Sequence, residues 1–277
     1  MSNPRELLQA HGLWSKKGLG QHFLVDPAIP PRIVSAGGAG PDDAVFEIGA
    51  GTGVLTHALS SRVARVIALE YDRDLVPVLR AQFGGSPHVT IRPGDVRDQD
   101  WGALATELGQ RPIVYGNVPY NLSSPIVAGL IEAGPVWRRA CLLLQKEFAE
   151  RAAAPPGTRA CCTLSALVAL WTHATIAFWV PPSAFLPPPK VDSAVLILER
   201  RAEPAADVGD PAVFRQVVKA LFAQRRKMAR GALKPLYPDA EALLRAAGLE
   251  PTRRGETFTL DELAALSRAL IAARAAG

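Results

Sequence analysis

Asn117-Val118-Pro119-Tyr120 ends an apolar, strand-like run, PIVYGN, and opens a turn. An amide, a proline and a phenol ring at that place suit one task, methylation of the exocyclic amine of a nucleobase. The N6 lone pair of adenine is delocalised into the ring, so it attacks poorly. Two acceptors, the Asn117 side-chain oxygen and the Val118 carbonyl, can grip the amino hydrogens and draw the nitrogen toward a tetrahedral, more nucleophilic state. Pro119 stiffens the turn that holds both acceptors. Tyr120 offers a face for an extruded base, worth ~1–3 kcal/mol. The same residue types also occur in ordinary turns, so the surrounding chain decides.

Upstream, VFEIGAGTGVLTHAL reads as strand, glycine loop and helix. Val45, Phe46 and Ile48 make a buried strand end, and Val54, Leu55, Ala58 and Leu59 recur at helical spacing. Gly49, Gly51 and Gly53 follow G-x-G-x-G. The dinucleotide fingerprint needs a glycine where Val54 stands. No G-K-[ST] follows, which excludes a nucleotide-triphosphate loop. Such a turn lets backbone approach a ligand without cradling phosphate, as S-adenosylmethionine requires. RVIALE ends in Glu70, whose carboxylate suits two ribose hydroxyls. VTIRPGDV carries Asp95, suited to the cofactor's adenine amine. Glu47 is placed to brace the glycine loop or meet the methionine ammonium. All these features fall at successive strand ends, the edge where open parallel sheets bind ligands.

The elements that position them alternate. AVFEIGA, RVIALEY, VTIRPGD, PIVYGNVP and ACLLLQKE are strand candidates separated by helical stretches, the rhythm of a mostly parallel sheet with helices on both faces. ATIAFWV and SAVLILER follow without a helix between them, which predicts an antiparallel hairpin at the sheet edge. The expected fold is a Rossmann-like, seven-stranded class I methyltransferase. After Arg201 the composition changes to linker and then to helices near 211–232, 238–247 and 260–275. The expected domains are therefore 1–202, catalytic, and 203–277, helical and assigned to RNA recognition; the amino-terminal segment of the first is expected to cover the cofactor.

The link PPSAFLPPPKVD has its own reading. Prolines would fix Phe185 as an exposed ring, a second wall facing Tyr120 that clamps a flipped base. The plainer alternative is a hydrophobic plug beneath the loop. Lys190 and Ser193 nearby could touch phosphate. In LFAQRRKMARGALK, the residues Arg225, Arg226, Lys227 and Arg230 would give a helix a broad basic flank opposite Phe214, Val217, Val218, Leu221 and Phe222. That flank is either a solvated surface or a docking surface for RNA phosphates.

Composition bounds the rest. The chain has 277 residues, 48% of them hydrophobic, and a net charge of +5, compatible with a nucleic-acid partner. No apolar run reaches spanning length, and the amino terminus lacks a signal-peptide core. Three cysteines, two of them adjacent, form no disulfide framework, which points to the cytoplasm. The five histidines never sit at ligand spacing with cysteine, so no metal site is expected.

Together these motifs resemble the ribosomal RNA adenine N6-dimethyltransferases, of the type that dimethylates two adjacent adenosines in the hairpin near the 3′ end of small-subunit rRNA. KKGLGQHFL, EIGAGTG, GNVPYNLSSP, LLQKE, PPSAFLPPPKVDSAV and QRRK carry the resemblance in family order. It implies S-adenosyl-L-methionine as cofactor, held by His22, Leu24, Gly49, Glu70, Asp95 and Asn117 with Gln21 beside them. It implies Tyr120 and Phe185 as the base-stacking aromatics. It also implies a monomer acting on the immature small ribosomal subunit. The chain departs from the family pattern at His22, where Asn is frequent, at Val118 for Leu, and at Cys161-Cys162 for Tyr-Gly. The rival readings are a resistance-type methylase of large-subunit rRNA, a non-catalytic nucleic-acid-binding factor of the same fold, and a methylase of DNA or protein amines.

Overall fold

The computed structural model describes residues 4–224 and 226–276. Seven strands form one sheet in the order β4-β3-β2-β5-β6-β9-β7. They are β2 (Ala44–Ile48), β3 (Arg65–Glu70), β4 (Val89–Pro93), β5 (Ile113–Asn117), β6 (Arg139–Gln145), β7 (Thr172–Val180) and β9 (Ser193–Arg200). β2, β3, β4, β5 and β6 run parallel, and β9 pairs antiparallel with β6. The central parallel strand β2 is covered on both faces, so it is buried at every residue, Glu47 included, and does not alternate, whereas the edge strand β4 is only partly covered. β7 instead alternates between exposed and covered residues, as an antiparallel sheet with a solvated face does. Strand order reverses between β2 and β5, and the crevice at their carboxyl ends is where such sheets bind ligands.

A second, two-stranded sheet has no counterpart in the sequence pattern. β1 (Phe23–Leu24) pairs antiparallel with β8 (Phe185–Leu186), with Leu24 opposite Phe185. This corrects the reading of Phe185. Its ring is 3% exposed and belongs to the apolar core with Phe23, Leu24 and Val180. The prolines around it shape a loop whose aromatic residue is the plug, not an open wall.

The chain divides into two compact units, 1–149 with 175–200, and 150–174 with 201–277. The segment 150–174 thus groups with the carboxy-terminal helices and not with the residues that precede it. Within the second unit, the helix Pro211–Ala223 is capped by Asp210, which accepts from Ala212 N at 2.7 Å, and starts on a proline at its first position. It buries Val213, Phe214, Val217, Val218, Leu221 and Phe222. The unbroken helix expected to 232 is not found. Gln224 leaves the helical region at φ −131°, ψ 62°, and a separate helix spans Ala229–Leu233. The intervening backbone pairs elsewhere. Met228 bridges Arg254, and Ala229 N and Arg230 N donate to Arg253 O and Pro251 O. Arg226 and Lys227 are therefore exposed on a turn rather than along a helix flank. Arg225 lies outside the described residues. Arg230 is exposed and stands 3.9 Å from Glu241.

Candidate active site

A cavity of about 280 Å³ opens at the carboxyl ends of β2, β3, β4 and β5. Gln21, His22, Gly49, Gly51, Glu70, Asp95, Asn117, Val118, Pro119 and Tyr120 all line it. Leu24, Glu47, Gly53 and Phe185, which the sequence also proposed, do not.

The glycine loop turns sharply. Gly51 has φ +58°, and a Cβ there would stand 3.3 Å from the Phe23 ring. Its N–H donates to Glu70 Oε2 at 2.7 Å, and Asp72 N donates to Oε1 at 2.7 Å. A carboxylate has about four acceptor positions, so two remain after these bonds. Burial pushes the Glu70 carboxyl above its usual range, against the pull of these N–H donors. Gly53 caps the next helix at φ +81° and packs on Leu79, Gln82 and Phe83. Glu47 is fully buried behind the loop, where Oε2 accepts from Thr56 Oγ1 at 2.6 Å and Oε1 has no partner. Of the two roles considered for Glu47, the contact present is to the helix that follows the loop. Burial, with the Glu70 charge adding to it, pushes its carboxyl up to about 8.

Asp95 is differently engaged. Oδ1 accepts from Arg97 N and Nε, and Oδ2 from Arg97 Nε and Nη2, at 2.5–3.0 Å. The guanidinium bond holds its carboxyl below the usual range despite partial burial. An adenine amine would reach this carboxylate only after Arg97, whose side chain is 58% exposed, releases an oxygen.

The Asn117 side chain donates Nδ2–H to the His22 carbonyl at 2.8 Å. A carbonyl only accepts, so the amide nitrogen faces His22 and the oxygen is left as an acceptor. Val118 N donates to Leu143 O at 3.1 Å, which ties the loop to β6. Pro119 sits at φ −54°, ψ 132° and its carbonyl accepts from Leu122 N. The Tyr120 hydroxyl shares a 2.8 Å bond with Ser193 Oγ, and burial raises its pKa, so it is a neutral phenol. The ring stacked on Tyr120 is His22, at 5.3 Å between centroids and 26° between planes. His22 Nδ1 lies 2.7 Å from Pro187 O, so the hydrogen is on Nδ1. The aromatic partner assigned by sequence to Phe185 is thus occupied by His22.

Sequence reading missed Tyr71, an exposed aromatic beside Glu70 that lines the cavity, and Arg97. Their position, one and two places past the strand-end acids, was the available signal. Lys190 is exposed, and Ser193 is buried against Tyr120. Among the described residues no cluster of three or more His, Cys, Asp or Glu could hold a metal ion, and no helix is long and apolar enough to cross a membrane.

The model of the ribosomal RNA adenine dimethylase family matches residues 13–264. The chain belongs to that family. It is 42% identical over 261 residues, 94% of each chain, to ribosomal RNA small subunit methyltransferase A of Magnetococcus marinus. It is 45% identical over 280 residues, covering 97% of this chain and 98% of the relative, to the protein of that name from Anaeromyxobacter dehalogenans. Among solved structures, the 23S rRNA methyltransferase ErmE superposes with a TM-score of 0.67 at 26% identity, over 90% of this chain and 99% of that one. The fold is that of class I methyltransferases, the activity is S-adenosylmethionine-dependent dimethylation of adenine in rRNA, and the non-catalytic reading is set aside. The cavity fits the cofactor. Its floor is a glycine turn that a side chain would obstruct, and its wall is an acid with two acceptor positions left.

Proposed function

We propose that this chain methylates N6 of two adjacent adenosines in the 3′-terminal hairpin of small-subunit rRNA, acting as a metal-free monomer on the immature small subunit in the cytoplasm. The observation that carries the chemistry is the orientation of Asn117. Its amide nitrogen is committed to His22 O, so its oxygen is the acceptor offered to a substrate amine. The names of relatives at 42 and 45% identity support the small subunit over the large-subunit target of ErmE at 26%.

When bound, S-adenosylmethionine supplies an activated methyl on a sulfonium, which leaves positioning and electrostatics to the protein. Glu70 and the glycine loop would hold the ribose side, with Gln21 and His22 closing over it. Asn117 Oδ1 and the Val118 carbonyl would take the two amino hydrogens and raise the nucleophilicity of N6. Tyr120 would stack on the extruded adenine. Its contact with His22 means that the base uses the other face of the ring or displaces the imidazole. No general base is required, because N6 becomes acidic once it has attacked and water can take the proton.

The test of the target is mapping of dimethylated adenosines on small-subunit rRNA from a strain lacking the gene, with and without the wild-type chain restored. Absence of restored methylation in the 3′ hairpin would refute the assignment. The test of the site is Asn117→Ala. Single-turnover transfer should fall on the order of 10²–10³-fold, while cofactor affinity measured by calorimetry changes far less. Near-normal turnover would remove Asn117 from the chemistry.

A further inference from the structure

The stretch from residue 14 to residue 22 runs between two apolar anchors, and its second half lines the cavity. Leu13 packs on the core at one end, and Phe23, in β1, belongs to it at the other. Gly20, at φ +64°, passes so close to the NVPYN loop that a Cβ would meet Asn121 Oδ1 at 3.0 Å. Gly18, Leu19, Gly20, Gln21 and His22 form one side of the cavity.

Between the anchors, this strap is fastened to the segment after β3 by a compact polar cluster. Lys16 Nζ lies 2.6 Å from Asp72 Oδ1 and 2.6 Å from Asp74 Oδ2. Gln21 Nε2 donates to Asp72 Oδ2 at 2.8 Å, and Gln21 Oε1 accepts from Lys16 N at 2.8 Å. Asp74 N adds a bond to Asp72 Oδ1 at 3.1 Å. The Asp72 side chain is only 4% exposed, whereas Lys16 is 43% exposed. A buried carboxylate bonded to Lys16, Gln21 and a backbone N–H differs from a surface ion pair, which contributes little. Burial alone would push Asp72 up, but the Lys16 and Gln21 bonds hold it below the usual carboxylate range. The cluster continues into the cofactor wall. Asp72 N donates to Glu70 Oε1, and Glu70 Oε2 accepts from Gly51 N.

We propose that Lys16 and Asp72 are positioning residues that latch the strap across the cofactor end of the cavity and so set how long the cofactor stays bound. The latch touches neither the Asn117 amide nor the Tyr120 ring, so it governs cofactor retention without entering the methyl-transfer step. The proposal rests on the assignment of this cavity to S-adenosylmethionine. Lys16 accordingly acts as a cation for Asp72 rather than as a contact for RNA.

The test measures dissociation rates of S-adenosylmethionine and S-adenosylhomocysteine from the full-length wild type and from Lys16→Met, Lys16→Arg and Asp72→Asn, without RNA. Lys16→Met removes both ion pairs; the exposed one to Asp74 contributes little, so loss of the bond to buried Asp72 predicts a rise of about tenfold in the off-rate. Lys16→Arg, which keeps the charge, should stay within about threefold of wild type. In turnover at increasing cofactor concentration, Lys16→Met should raise KM for the cofactor and leave kcat within about twofold. An unchanged off-rate in Lys16→Met overturns the latch. So does a loss of kcat or of rRNA binding with cofactor retention intact. If Asp72→Asn unfolds, the exposed Lys16 variants carry the test alone. A wild type that binds neither probe sinks the cofactor assignment itself, which is separable from a wild type that binds and variants that match it.

Discussion

Glu47 offers a stability measurement that isolates one buried acid. Its carboxyl is fully buried behind the glycine loop, one oxygen bonded to Thr56 Oγ1 and the other without a partner. Burial pushes its pKa from 4.5 to about 8. Below 4.5 the group is protonated in folded and unfolded chains alike, and above 8 it is ionised in both. Between those values the folded chain holds a proton that the unfolded chain has lost. Stability therefore falls as pH rises through this window. At about 1.4 kcal/mol per pH unit, the interval amounts to roughly 5 kcal/mol if the whole shift is expressed. Glu47→Gln mimics the protonated acid, keeps an oxygen for Thr56, and abolishes the titration. Denaturant unfolding of wild type and variant at pH 4.5, 6, 7 and 8.5 should give a stability difference that grows in favour of Gln with rising pH. Glu47 does not line the cavity, so cofactor affinity near neutral pH should stay within about threefold of wild type, well under the 1.4 kcal/mol of a tenfold change. A pH-independent difference would refute the burial argument. A large loss of cofactor affinity would return Glu47 to the cofactor site.

Two further outcomes are expected. Glu70→Ala should raise the cofactor dissociation constant by roughly one to two orders of magnitude, from the loss of charge-assisted bonds to the ribose, and calorimetry showing no change would remove that role. Replacing Arg225, Arg226 and Lys227 with Gln should weaken binding to the ribosomal substrate and lower the log–log salt slope by roughly 0.7–0.9 for each phosphate no longer neutralised. Cofactor affinity and thermal unfolding should be unaffected, and a slope equal to wild type would make those charges a solvated surface.

The central strands were legible as apolar runs long enough for their burial to mark them, and β7 as an alternating one. The strand-end positions of Gly49, Glu70, Asp95 and Asn117 then followed from fold logic. What escaped the sequence was pairing over distance. β1 and β8 are two residues each and carry no period, so the pattern leaves Phe185 in the open when it faces Leu24 across a strand pair. The segment after Ala223 consists of good helix formers, but its backbone partners come from 251–254, some 25 residues on. Lys16 and Asp72 are 56 residues apart, and nothing local to either announces the other.

His22 shows how such long-range pairings divide the labour of the site. From one position, its carbonyl fixes the Asn117 amide, its ring stacks on Tyr120, and its Nδ1–H ties the strap to Pro187. An asparagine, frequent here in the family this chain resembles, could supply the carbonyl but not the stacked ring. The carbonyl is backbone, so the orientation of Asn117 tolerates the exchange, whereas the support for Tyr120 does not come with it. The two ends of the strap therefore serve different steps. Lys16 fastens it to the acids beside the cofactor wall, and His22 fastens it to the residues that would receive the base. Opening the first without the second frees the cofactor end while the amide stays aimed. That separation is why a change at Lys16 is expected in the cofactor off-rate and not in the rate of methyl transfer.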